Sequence, residues 1–347
     1  METQQIQAAY FCGVDLHSTF LFATVVDKDG NIYMKRKLNN EFDLFYRSVQ
    51  PFLPDLAVGT ESTYNWYWLA DGCKKQNIPF YLGHAHYMKL ISGAKKKTDK
   101  LDSQTQANLM RTGFFPLAYA YPKEMRTVRD LLRRRMYYVA LRAAANTHIQ
   151  TIFAQQAIFS INGQHIKTKH TRKKLPELVS NQNTKLSIET DLNVMEALDR
   201  TIRILEKHIL NIAQMHNPET LSLLKTVTGI GDILSLTILY EVHTIDRFAS
   251  VKQFSSYCRV VKCERSSAGK KSGGGNQKIG NPYLKWTFDQ IINTGKKKSP
   301  EIKKKFERLV AKHGSRKARA IMGHKYAVAV YYMLKNKKPF DEELFLR

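Results

Sequence analysis

Cysteine is scarce in this chain. There are four in 347 residues, Cys12, Cys73, Cys258 and Cys263, with no CxxC pair and no histidine at ligand spacing. Two sulfurs do not make a zinc site, so a reduced, cytoplasmic protein is expected. Long apolar runs are missing as well. The stretch Tyr326 to Leu334 has nine residues, far from the ~20 that span a bilayer, and no membrane association is expected. The first residues lack a charged segment followed by a long apolar core, so no signal peptide is expected. Acidic residues are in short supply too, with 30 Asp and Glu against 55 Lys and Arg, a net charge of +25 and a pI near 9.8. A surplus of that size points to a polyanionic partner, nucleic acid before anionic membrane.

What is present suits a globular protein of two or three domains, with 43% hydrophobic residues. The positive charge is concentrated. Residues 122–174 hold 12 basic against 2 acidic side chains, and residues 264–347 hold 21 against 7. The first 94 residues are nearly neutral, with 8 against 9. Chemistry in one place and polyanion grip in others is the division this suggests.

The neutral N-terminal part reads as α/β. Tyr10–Asp15, Thr19–Val26 and Ile32–Leu38 have strand character, with Asp29-Gly30 as a turn signal between the last two. Helical spacing over 41–52, a strand over 56–60, a helix over 66–75 and a strand over 78–82 follow, which predicts a mixed sheet. Asp15 and Glu61 end two of these strands. Asp99 and Asp102 stand three apart at the start of a predicted helix and share its face. Singly, each acid has a plain structural reading as a turn or helix cap. Together, in the order strand, strand, helix face, four converging carboxylates suit hard cations, Mg²⁺ or Mn²⁺, which polarise a phosphodiester.

The middle reads as helical. Leu192, Met195, Leu198, Ile202, Leu205, Ile209 and Ile212 form a coiled-coil seam, and a second helix is predicted from Pro122. The polar segment 160–183 reads as a loop joining the two into an antiparallel hairpin or a dimerising arm. The first helix carries Arg126, Arg129, Arg133, Arg134, Arg135 and Arg142, read as a phosphate-tracking face. Beyond it, Thr228-Gly229-Ile230-Gly231 between two apolar segments has the pattern of a helix-hairpin-helix. The basic, glycine-rich stretch 262–286 follows, with Ser266 and Ser267 among Lys262, Arg265, Lys270, Lys271 and Lys278. Glycine backbone there can bend closely around an anion. A solvated basic loop is the plain alternative.

These blocks resemble the DEDD-type insertion-sequence transposases that include the Piv invertases and the bridge-RNA-guided recombinases. The resemblance rests on Gly13-Val14-Asp15, Thr60-Glu61, Lys97-Thr98-Asp99-Lys100-Leu101-Asp102, Thr228-Gly229-Ile230-Gly231, Ser267-Ala268-Gly269-Lys270, Lys278-Ile279-Gly280-Asn281 and Leu284-Lys285-Trp286. It implies a RuvC-like domain of ribonuclease H fold over 1–118, a helical coiled-coil arm over 119–216 and a helical C-terminal transposase domain over 217–347. It further implies Asp15, Glu61, Asp99 and Asp102 as a Mg²⁺- or Mn²⁺-binding tetrad, and Ser267 as a nucleophile forming a phosphoserine link to DNA. Double-stranded donor and target DNA, a guide RNA and a homo-oligomer, dimer or tetramer, are the implied partners, at the nucleoid in the cytoplasm. The family pattern Glu-Ser-Ala-Gly-Lys departs here at Ser266, which leaves either serine open as the attacker, with Ser267 favoured by its place before Ala-Gly-Lys.

No base flanks Ser267, and a serine hydroxyl needs one or a metal. The expectation is therefore a composite of acid tetrad and serine, assembled on substrate. Two rival readings stand beside it. One is a metal-dependent nuclease or Holliday-junction resolvase using water. The other is a non-catalytic nucleic-acid-binding scaffold whose grip comes from the basic blocks alone.

Overall fold

Alternation of side chains along a strand decides how the sheet of the first unit is covered. In the computed structural model, residues 5–91, 99–261, 264–267, 270–274 and 279–347 are described, with side chains described outside 90–100 and 262–278. The chain divides into two compact units, Met1–Lys123 and Glu124–Arg347.

The first unit opens with β1 (Tyr10–Leu16), β2 (Phe20–Asp27) and β3 (Ile32–Asn39), then α1 (Phe42–Val49) and a 3₁₀ turn, Gln50–Phe52. Next come β4 (Leu56–Glu61), α2 (Tyr67–Lys75), β5 (Phe80–Gly83), α3 (Ala85–Ile91), α4 (Asp99–Arg111) and a short β6 (Leu117–Ala118). The sheet order is β3-β2-β1-β4-β5-β6, with β1, β4 and β5 parallel and β2, β3 and β6 antiparallel to their neighbours. This mixed α/β arrangement is consistent with the ribonuclease H-like fold that the resemblance implies. Cys12, Val14 and Leu16 of β1, with Leu56 and Val58 of β4, pack with Phe45 and Val49 of α1 and Leu69 and Cys73 of α2. The intervening residues, Phe11 and Ala57, face the other way and pack with Ala107, Leu109, Met110 and Phe115. At the edge, β3 exposes Lys35, Arg36 and Lys37, a charged strand that discourages edge-to-edge pairing.

Two long helices begin the second unit, α5 (Lys123–Gln155) and, later, α8 (Gln182–His216). Between them the segment expected as a loop is instead folded into α6 (Gly163–Lys167), α7 (Lys169–Arg172) and a 3₁₀ turn, Leu175–Leu178. Its Ile166, Leu175 and Val179 are buried with Ile149, Ile152 and Phe153 of α5 and Ile188 and Met195 of α8. Arg172 stitches it further, donating to the Ile166 carbonyl at 2.6 Å and to Asp199 at 2.8 Å. Three apolar anchors in a polar, lysine-rich stretch carry no periodicity, which is why the sequence reads as loop. In the α8 seam Met195, Ile202 and Ile209, seven apart, are the fully covered positions.

The remainder is α9 (Pro218–Lys225), α10 (Asp232–Val242), α11 (Val251–Tyr257), a hairpin of β7 (Glu264–Ser267) and β8 (Lys270–Gly274), then α12 (Pro282–Lys298), α13 (Pro300–His313), α14 (Ser315–Asn336) and α15 (Glu342–Leu346). Asn281 and Ser299 each cap a helix whose first residue is proline, the pairing that best starts a helix. Helix α10 is buried from Leu234 through Val242, and it is the centre of a core that also takes in Val128 and Leu132 of α5 and Ile209 and Ala213 of α8. No described helix is long and apolar enough to cross a membrane.

Candidate active site

Asp15 and Glu61 reach one rim of the sheet through the parallel pairing of β1 with β4. Val14 is in register with Thr60, so the two acids are the next residues on adjacent strands. The Thr60 hydroxyl donates to the Val14 carbonyl at 2.8 Å and fixes that level. Both acids lie on the α4 side, because strand side chains alternate and the residues two before them, Gly13 and Gly59, are covered by α4. A Cβ at Gly13 would stand 2.1 Å from the Ser103 carbonyl oxygen and 2.4 Å from the Ala107 nitrogen. One at Gly59 would stand 2.3 Å from the Met110 sulfur. Glycine is needed here for close approach of the helix, not for its backbone freedom.

The direction of α4 places its acids. Ser103 bonds Thr24 at 2.8 Å beside Gly13, whereas Arg111 donates to the Lys28 carbonyl, past the opposite end of β1 and β2. The helix therefore runs away from the rim, and Asp102 lies on the rim side of Gly13, as Asp15 and Glu61 do. Asp99 begins the helix, and its side chain lies outside the described residues.

The rim is braced by polar contacts. The His17 imidazole is 3.1 Å from Asp15, whose side chain is 14% exposed. The His17 carbonyl accepts from Asn65 at 2.6 Å and Asn40 at 2.8 Å, and Thr63 bonds Asn65 at 3.0 Å. The turn after Asp15 is thus tied to the loop after Glu61. Among the described residues, no group of three or more His, Cys, Asp or Glu side chains is assembled to hold a metal ion. Three carboxylates nevertheless share a rim and a face, and a hard-oxygen donor set of this kind fits Mg²⁺ or Mn²⁺ in its chemistry.

In the second unit Ser267 is the last residue of β7 and pairs with Lys270, while Ser266 pairs with Lys271. The stretch read as a basic loop is thus a hairpin at this level. The side chains of Ser266, Ser267, Lys270 and Lys271, and Lys278 altogether, lie outside the described residues. The segment from Gly280 packs on α11. Gly280, at φ +96°, lies so near the end of α11 that a Cβ would stand 2.7 Å from the Tyr257 carbonyl oxygen, and the Asn281 amide donates to that oxygen at 2.6 Å.

Asn281 also donates to Glu241 at 2.7 Å and to the Tyr257 hydroxyl at 3.2 Å. Glu241, 1% exposed, takes two bonds from Arg133, at 2.7 and 2.9 Å, and one from Arg129 at 2.9 Å. Burial opposes its charge, but the bonds and charges of Arg133 and Arg129 outweigh that and hold the carboxyl below its ordinary range. This network was not legible in the sequence, where Glu241 is one acid inside an apolar helix.

Intramolecular partners also engage much of the arginine face of α5. Arg126 is buried, Arg129 and Arg133 engage Glu241, Arg135 bonds Glu206 at 2.6 Å and Arg142 bonds Asp199 at 2.6 Å. Arg134 is exposed, 5.9 Å from the Tyr137 ring. The Thr228–Gly231 turn does join two helices, α9 and α10. Gly229 there has φ +105° and is packed so tightly on α12 that a Cβ would stand 2.7 Å from the Gly295 nitrogen.

A search among curated proteins finds no match for the chain. Two family models do match, in order along it. A DEDD-type model, described as Transposase, covers residues 12–158, and one described as Transposase IS116/IS110/IS902 family covers residues 221–307. The first takes in Asp15, Glu61, Asp99 and Asp102, the second the stretch from α9 through the serine hairpin into α13. Both models describe one kind of protein, and the chain thus carries two IS110-type transposase domains in order, which mark it as a DNA transposase or recombinase enzyme.

Proposed function

We propose that the chain cuts and rejoins DNA at the carboxylate rim of its first unit, with Ser267 as the attacking group. The rim is supported by the register of β1 with β4 and the packing of α4 on Gly13, which bear on Asp15, Glu61 and Asp102, while the part of Ser267 rests on the family resemblance. These acids, with Asp99, would hold Mg²⁺ or Mn²⁺, which when bound neutralises charge on a phosphodiester and on its leaving oxygen. The serine oxygen forms a bond to phosphorus as the bond to one nucleoside oxygen breaks. The hydroxyl proton passes to solvent, and the freed nucleoside oxygen takes one up from solvent, so no net proton is gained or lost. The reverse attack by a nucleoside hydroxyl rejoins the strand and returns the serine. One phosphodiester is exchanged for another ester, so the strand energy is retained.

Arg129, Arg133 and Arg134, with Lys270, Lys271 and Lys278 of the hairpin region, supply phosphate contacts, and Arg129 and Arg133 also hold Asn281, after the hairpin, through Glu241. A guide RNA, a homo-oligomer of two or four chains and a nucleoid location complete the reading, on the family resemblance. A second reading, hydrolysis by water at the same rim, is favoured by the carboxylate geometry alone, which needs no serine.

A denaturing gel of labelled DNA decides between them. Serine attack gives a protein–DNA adduct in the wild type that Ser267→Ala abolishes. Free cut ends without an adduct, at equal rates in both proteins, would establish the water reaction.

A further inference from the structure

We infer that Gln106 donates an amide oxygen to the cation of the carboxylate rim, directly or through one of its bound waters. The inference rests on the metal-assisted reading above. Gln106 is 3% exposed, and its Oε1 has no hydrogen-bond partner among the described residues. It stands four residues after Asp102 and seven after Asp99, so the three share one stripe of α4. Its Cβ would be 2.9 Å from a Cβ on Gly13, two residues before Asp15 and on the same face of β1. The side chain therefore starts directly behind the acids, on the sheet-facing side of the helix.

Its surroundings make an idle glutamine there hard to explain. Thr24 and Ser103 satisfy one another, and Ala107 and Met110, next along the buried side, are apolar. A buried amide oxygen left unpaired is unfavourable, and an apolar side chain of similar length would avoid the cost. Glutamine oxygens are ordinary ligands of hard divalent cations. Being neutral, such a ligand completes a coordination sphere without adding a fifth negative charge beside four acids.

The test uses the full chain and Mn²⁺ alone as the probe, with binding read by calorimetry and metal-free stability by thermal unfolding. Gln106→Met is expected to weaken Mn²⁺ binding by about tenfold, the lower end for a supporting ligand, with an unchanged or higher melting temperature. Gln106→Glu, which keeps the oxygen, is expected to bind Mn²⁺ at least as tightly as wild type with a lower metal-free melting temperature. Binding by Gln106→Met within twofold of wild type overturns the inference, as does weaker binding by Gln106→Glu. Asp15→Asn separates the two levels. If it loses Mn²⁺ while Gln106→Met does not, only the role of Gln106 falls. If wild type binds no Mn²⁺, or Asp15→Asn binds as wild type does, the carboxylate reading falls with it.

Discussion

Gly13 and Gly59 show how single atoms set the site. At Gly13 the obstacle to a side chain is backbone, the Ser103 carbonyl and the Ala107 nitrogen, which cannot swing aside. At Gly59 the nearest obstacle is the end of the flexible Met110 side chain. Gly13→Ala is therefore expected to cost ~3 kcal/mol and Gly59→Ala ~1 kcal/mol, in the usual range for overpacking, as read from denaturant midpoints. Glu241 offers a second test. Its carboxyl titrates below the ordinary 4.5 in the folded state, so the unfolded chain takes up the proton first as pH falls. Its contribution is then complete above about 4.5 and is lost on acidification through the folded-state value. Glu241→Gln is expected to cost ~3 kcal/mol near neutrality, as breaking a buried ion pair does. The gap from wild type should narrow as pH falls below about 4.5, measured by urea unfolding at each pH.

At the level of elements, the tip formed by α6, α7 and the neighbouring ends of α5 and α8 has its own small core, separate from the main one. Ile166→Ala is expected to cost ~2–4 kcal/mol locally. Amide exchange should accelerate over 145–199 and stay unchanged over α10 and α12. That segment illustrates what sequence could and could not convey. The strands of the first unit and the acids at their ends were legible, because alternation is a local signal. The folded state of 160–183 was not, since Ile166 and Leu175 gain meaning only against α5 and α8. Nor was the commitment of Arg129 and Arg133, whose partner Glu241 is more than a hundred residues away. Gln106 carries no signal in the sequence, because only the packing of α4 on Gly13 sets it beside β1.

Over the whole molecule, the basic surplus and the proposed site acids lie in different stretches of the chain. The basic surplus lies in 122–174 and 264–347, the acids of the site in the first hundred or so residues. DNA affinity should therefore fall steeply with salt, by about 10³-fold or more between 50 and 200 mM if six or more phosphates are neutralised. Removing a rim carboxylate should leave that dependence unchanged. The most direct measurement is the rate of strand cleavage in Mg²⁺ by wild type, Asp15→Asn, Glu61→Gln and Asp102→Asn at matched DNA occupancy. Each variant is expected to lose ~100-fold or more, the ~3 kcal/mol expected when a cation's stabilisation of the leaving oxygen is withdrawn. Cleavage by Asp15→Asn at the wild-type rate would contradict the assignment of the rim as the site of chemistry.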